Sequence, residues 1–158
     1  IVVTGVQTCA LPISKPLGTA GCLKLFKKYM NNEPIIVING DVLTSINYDR
    51  LLDFHKKSKK SITICSAKYE IPLEYGTRNI KDGDLISLEE KPVKEYFVNA
   101  GIYIINPSVI TNLEEKERFD MTDLLEIYIK TKSVAVFPMH EQWIDIGNHK
   151  DYKKANEE

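Results

Sequence analysis

The chain has 158 residues, 43% of them hydrophobic and 27% charged, with a formal net charge of −1. That composition belongs to an ordinary globular chain, long enough for one domain with a real core or for a piece of a larger one, and it excludes a disordered protein. Near-neutral charge gives no long-range pull toward nucleic acid or anionic lipid, so neither is an expected partner, and any anionic ligand must be held by local groups.

The longest aliphatic run, Ile35-Ile36-Val37-Ile38, is far short of the ~20 apolar residues that span a bilayer. Cys9, Cys22 and Cys65 form no C-x-x-C pair, and His55, His140 and His149 show no H-x-x-x-H spacing. Neither a disulfide framework nor a zinc site is expected, and a reduced, cytoplasmic setting is the default.

The chain opens on Ile1, and residues 1–13 carry no charge. A secretory signal needs a basic segment before its apolar stretch, and none is present. Val3 to Ile13 resembles a short-read sequencing adapter translated in frame. The expected division is therefore a non-native segment over 1–13 and a partial catalytic domain over 14–158.

From Lys15 onward, strand-length apolar runs alternate with amphipathic helical patterns, the mark of an α/β fold. Thr19 is placed to cap a short helix reaching about Tyr29, with Leu23 and Phe26 inward. Ile35 to Asn39 reads as a strand buried on both faces of a parallel sheet. Tyr48, Leu51, Leu52 and His55 share one helical face over residues 48–57, with His55 a helix-surface or boundary residue rather than a ligand and the following lysine run solvated.

Ser61 to Ala67 reads as a second buried strand. A Lys81-Asp82-Gly83-Asp84 hairpin turn and a strand from Leu85 to Leu88 come next, then a strand from Ala100 to Ile105 ended by Asn106-Pro107. Asp120 reads as an N-cap, with Asp123 completing it, for a helix reaching Lys130. A last strand runs from Ser133 to Pro138, and a polar helix from Asn148 to Asn156. Repeats, low-complexity segments and linkers are absent from the sequence.

The chemistry concentrates at strand ends. Asp41 follows the aliphatic run directly, and Gly40 allows close backbone approach, which suits a metal-bound phosphate beyond the carboxyl end of a strand. An ordinary Gly-Asp turn is the competing reading. Asp145, in Trp143-Ile144-Asp145-Ile146-Gly147, is flanked by apolar residues and is expected to point away from them or else to be partly buried. A partly buried carboxylate needs a partner, and a divalent cation is a good one; a structural turn is the alternative. Glu89-Glu90-Lys91-Pro92 offers a point charge to a phosphate, although such Glu-Lys clusters are usually surface. Leu17-Gly18-Thr19-Ala20-Gly21 is a glycine-bearing loop entering a helix, whose backbone N–H groups could meet an anion or a base edge, although it matches neither dinucleotide nor Walker patterns.

Taken in order, Lys15 to Gly21, Ile38 to Asp41, Tyr75-Gly76, Glu89 to Pro92, Val98 to Tyr103 and Trp143 to Gly147 resemble the sugar-phosphate nucleotidyltransferase family, most closely its mannose-1-phosphate guanylyltransferase-like branch. The resemblance implies a Rossmann-like sheet, mostly parallel with helices on both faces and missing its first strand or strands. It implies transfer of a nucleotidyl group from an NTP, GTP by the branch, to a hexose 1-phosphate with release of pyrophosphate.

By the same resemblance, Leu17, Gly18, Thr19, Ala20, Gly21, Gly40 and Asp41 would border the nucleotide. Asp41 and Asp145 would hold Mg²⁺ and, with Lys91, serve catalysis. Tyr75, Gly76, Glu90, Lys91, Asn99 and Gly101 would border the sugar phosphate. A homo-oligomer, and CBS domains N-terminal to the catalytic domain of a longer parent, are left open. The family's Arg- and Lys-bearing glycine-rich loop is missing, so this chain alone is expected to be inactive. The rival is a non-catalytic sugar-nucleotide sensor of the same fold. A metal-dependent glycosyltransferase would be expected to show a D-x-D motif after a strand, which Asn39-Gly40-Asp41 is not.

Overall fold

The structure is a computed structural model that describes residues 16–113, 118–147, 152, 153, 155 and 156. Residues 1–13, and most of the polar segment 148–156, lie outside the described residues.

A four-stranded sheet in the order β1-β6-β3-β7 forms the centre: β1 is Ile35–Ile38, β3 Ile62–Pro72, β6 Val93–Ile105 and β7 Val134–Met139. β6 alternates strictly at its carboxyl end. Ile102 and Ile104 point into one apolar cluster, and Tyr103 and Ile105 into the other. The first cluster is closed by Leu51 and Leu52 of helix α1, Tyr48–Ser58. The second is closed by a 3₁₀ helix, Gly21–Tyr29, and by helices α2, Pro107–Thr111, and α3, Met121–Lys130. Both faces of the sheet are thus covered by helix, and the mixed α/β class expected from the sequence holds.

The expected predominance of parallel pairing does not hold. Among the described residues, β6 runs antiparallel to both β1 and β3, and only β3 and β7 pair in parallel. Parallel neighbours need a crossover, usually a helix, and the chain between β3 and β6 contains only the hairpin of β4, Thr77–Lys81, and β5, Asp84–Glu89. A chain that returns through a hairpin comes back antiparallel. β1 is therefore an edge strand among the described residues, half-buried with Ile38 exposed, and not a strand buried on both faces.

His55 is the second correction. It is 2% exposed, with Nδ1 2.8 Å from the Thr63 hydroxyl and Nε2 3.0 Å from Asn106 Oδ1. Asn106 Nδ2 donates to the Lys60 carbonyl at 3.1 Å, which turns Oδ1 toward the ring, so Nε2 carries the proton donated to it. The histidine pins α1 to β3 and to the end of β6. Thr19 likewise does not cap the 3₁₀ helix. Its hydroxyl accepts the Met121 N–H at 2.8 Å and so caps α3 beside the reciprocal Asp120–Asp123 pair.

The site at the carboxyl end of the sheet

The chain leaves β1 through Asn39-Gly40-Asp41 and enters β2, Val42–Thr44, which pairs antiparallel with β8, Trp143–Asp145. Val42 lies opposite Asp145, and the Ile146 N–H donates to the Asp41 carbonyl at 2.8 Å. This two-stranded ladder, which periodicity did not reveal because each strand is only three residues long, brings the two distant acids together. Asp145 Oδ1 lies 2.9 Å, and Asp41 Oδ2 3.5 Å, from the point a Cβ on Gly147 would occupy. Asp145 Oδ1 also accepts the Gly147 N–H at 2.9 Å, which fixes its rotamer. Both aspartates are exposed, and Gly40 has nothing within 4 Å of a would-be Cβ, so a bulky anion could approach.

Among the described residues no group of three or more His, Cys, Asp or Glu side chains gathers into a metal cage. The donor set is two convergent carboxylates. That set fits a hard divalent cation that takes the rest of its oxygen shell from water and phosphate, as Mg²⁺ usually does. It does not fit a soft or tetrahedral metal.

Beside the acid pair, β6 breaks register against β3. Ile64 lies opposite Tyr103 and Ser66 opposite Asn99, so Ala100, Gly101 and Ile102 bulge across from Cys65. Gly101 has φ +70. A Cβ there would sit 2.8 Å from Asn39 Nδ2.

Three backbone groups of the bulge find named partners. The Gly101 N–H donates to Asn99 Oδ1 at 3.0 Å, the Asn39 N–H to the Gly101 carbonyl at 2.8 Å, and the Trp143 indole N–H to the Ala100 carbonyl at 2.9 Å. Asn99 Nδ2 donates to the Tyr103 hydroxyl at 2.6 Å. Burial raises the Tyr103 phenol above its ordinary range, and the Asn99 bond partly offsets that. Asn39, Trp143 and Tyr103 lie inside the sequence motifs, where spacing alone assigns them no role. The signal available was that Trp143 is the chain's single tryptophan, two residues from a candidate ligand.

The other sequence-predicted residues form two further groups. Tyr75, Gly76, Glu90 and Lys91 flank the β4–β5 hairpin at the far end of the β3–β6 ribbon, beyond the Pro72–Val93 pair. Glu90 Oε2 lies 2.8 Å from a would-be Cβ on Gly76, so the two motifs meet although fourteen residues separate them. Lys91 has φ +44 and is exposed. The other non-glycine left-handed residues each end a helix or make the hairpin turn: Lys59 and Lys132 follow α1 and α3, and Asp82 sits beside Gly83. Lys91 does neither, and such isolated strain costs about 1–3 kcal/mol.

The Leu17–Gly21 loop lies on Phe119–Met121, at the start of α3. The Ala20 and Gly21 N–H groups donate to the Phe119 carbonyl at 3.0 and 2.8 Å, and the Thr19 N–H to Asp120 Oδ1 at 3.0 Å. Those three amides, expected from the sequence to meet an anion or a base edge, are spent on fastening the loop to the start of α3. Ala20 packs in the cluster of α2 and α3, whereas Trp143 and Val42 pack in that of α1.

The family model described as nucleotidyl transferase matches residues 3–158. Mannose-1-phosphate guanyltransferase of Debaryomyces hansenii is 38% identical over 146 residues, covering 87% of this chain and 40% of that protein. The enzyme of the same name from Saccharomyces cerevisiae is 36% identical, covering 88% and 40%. The chain therefore spans about two-fifths of the length of these relatives. The crystal structure of HddC from Yersinia pseudotuberculosis complexed with GMP-PN superposes with a TM-score of 0.66 at 26% identity, covering 93% of this chain and 64% of that one. The family model spans nearly the whole sequence, and the chain belongs to the nucleotidyl transferase family.

Proposed function

We propose that the protein to which this chain belongs joins a nucleoside triphosphate, GTP, to a hexose 1-phosphate, mannose 1-phosphate, and releases pyrophosphate. A sugar-phosphate oxygen attacks the α-phosphorus while the bond to the bridging oxygen of the β-phosphate breaks, so no protein nucleophile is needed. The observation that carries the reading is the convergence of the Asp41 and Asp145 carboxylates beside an open glycine at the strand ends. The guanyltransferase names of the relatives support the choice of base and sugar.

Asp41 and Asp145 would hold Mg²⁺, which when bound neutralises phosphate charge and aligns the reacting groups. Asn99 and Gly101 would face the sugar, with Asn99 held in place by Tyr103. Glu90 would take sugar hydroxyls, Tyr75 and Gly76 would wall that side, and Lys91 would offer its point charge to the sugar phosphate; the left-handed backbone at Lys91 is the kind of strain that functional sites retain. Leu17 to Gly21 would meet the edge of the base, in a position set by α3. Bringing two anions together is the main obstacle, so charge neutralisation and positioning supply most of the rate.

The sensor reading predicts sugar-nucleotide binding that ignores the acid pair. Calorimetry of GDP-mannose binding with Mn²⁺ present, on the parent and on Asp145→Ala, separates the two. Loss of at least ten-fold in affinity in the variant is expected of the enzyme. Equal affinity in both proteins would overturn the metal-dependent reading and favour the sensor.

A further inference from the structure

Two short hydrogen bonds and a strand ladder close a triangle around the bulge of β6. Asn39 ties the end of β1 to Gly101, the ladder of Val42 with Asp145 ties β2 to β8, and the Trp143 indole ties β8 directly to Ala100. Asp41 leaves the first corner and Asp145 the second, while Asn99 and Gly101 make the third.

The Trp143 bond is the side-chain member of this set, and it lies between the proposed cation ligands and the proposed sugar side. Its acceptor is the carbonyl of Ala100, a residue 0% exposed, inside a bulge where the regular β6–β3 pairing is lost. A buried carbonyl without its donor is costly, so the bulge and β8 have reason to stay together. The ring also packs on the cluster that includes Ala100 and Met139, which leaves the indole little freedom to drift from the carbonyl.

We propose that Trp143 is a positioning residue: its indole N–H holds the strand bearing Asp145 against the Asn99–Gly101 bulge, so that the cation and the sugar phosphate are bound as a coupled pair. The proposal rests on the function proposed above but assigns a residue that the reading does not need. The cation holds the phosphate and the bulge holds the sugar, and both act on one molecule only if their spacing is fixed. Removing the N–H lets that spacing relax while leaving either half able to bind alone. The net worth of one neutral hydrogen bond sets the expected loss of coupling at about five-fold.

The test measures Mn²⁺ affinity by electron paramagnetic resonance and mannose 1-phosphate affinity by calorimetry, with and without Mn²⁺, on the parent chain and on Trp143→Phe. A second variant replaces Trp143 by benzothienylalanine, which keeps the bicyclic ring and lacks the N–H, so a packing defect in the phenylalanine protein cannot decide the result. In the parent, Mn²⁺ should tighten mannose 1-phosphate binding. In both variants that enhancement should fall about five-fold, while Mn²⁺ affinity without sugar stays within two-fold. A residue that only supported the fold would lower the melting temperature and leave the enhancement ratio where it was. An unchanged ratio in the benzothienylalanine protein would overturn the proposal. A parent that showed no enhancement by Mn²⁺ would instead overturn the function on which it rests.

Discussion

Gly101→Ala is the substitution whose cost the structure fixes most closely. Gly101 has φ +70, a region that costs an L side chain about 1–2 kcal/mol. The new methyl would also sit 2.8 Å from Asn39 Nδ2, 3.0 Å from its Cγ and 3.2 Å from its Cβ. The last two atoms are not the loose end of a flexible chain, so Asn39 must move, together with the N–H that it donates to the Gly101 carbonyl. Overpacking of that kind adds about 1–3 kcal/mol, and the total is about 2–4 kcal/mol of lost stability once the smaller unfolded-state gain of alanine is allowed for.

For a chain of this length that is a fall of roughly 5–15 °C in melting temperature. Gly40→Ala is the matched control, since nothing lies within 4 Å of its Cβ and its φ is not positive; it should stay within about 0.5 kcal/mol of the parent. Thermal melts followed by far-ultraviolet circular dichroism, with the two variants side by side, read the difference. If Gly101→Ala melts with Gly40→Ala, the account of the bulge is wrong.

His55→Ala should destabilise the chain by about 2–4 kcal/mol in urea unfolding, because it strands the buried Thr63 hydroxyl and Asn106 amide as well as opening space beneath α1. Thr19→Ala removes the cap on Met121 and should cost about 1 kcal/mol in the same experiment. Burial of the Cys65 thiol, with Glu141 a lesser contributor, pushes its pKa from 9.0 to about 12. The folded chain therefore keeps the Cys65 proton over a range where the unfolded chain releases it. Stability from this group is intact below pH 9 and should decline as pH rises from 9 toward 12, at up to about 1.4 kcal/mol per pH unit. At pH 8, iodoacetamide followed by peptide mass spectrometry should find Cys65 unmodified until urea unfolds the chain.

The long elements were legible because each carries its own local signal. The run Ile35 to Ile38, the 3–4 spacing of Tyr48 to His55 and the Asp120–Asp123 cap all led to the right kind of element in the right place. Pairing direction was not legible, since the same aliphatic run serves a parallel or an antiparallel neighbour and only the hairpin between β3 and β6 decides. The apolar alternation of β3 and β6 likewise did not show that both strands run on into an exposed ribbon, because residues 68–72 and 93–97 face solvent.

The site divided in the same way. Asp41 and Asp145 stood out as acids at strand ends, and the structure brings them together. The link from Trp143 to Ala100 joins side chain to backbone across forty-three residues. No spacing rule reaches that far. The role of the Leu17–Gly21 amides was hidden for a similar reason, since their acceptors on Phe119 and Asp120 lie a hundred residues downstream.

The most direct test of the central claim is a Mn²⁺ titration by electron paramagnetic resonance on the parent, Asp41→Asn, Asp145→Asn and the double variant. Two carboxylates that share one cation act as a unit, so each single change should weaken binding by at least ten-fold and the double change should cost much less than the product of the two. Losses that multiply, or a single variant that binds Mn²⁺ as the parent does, would contradict a shared site.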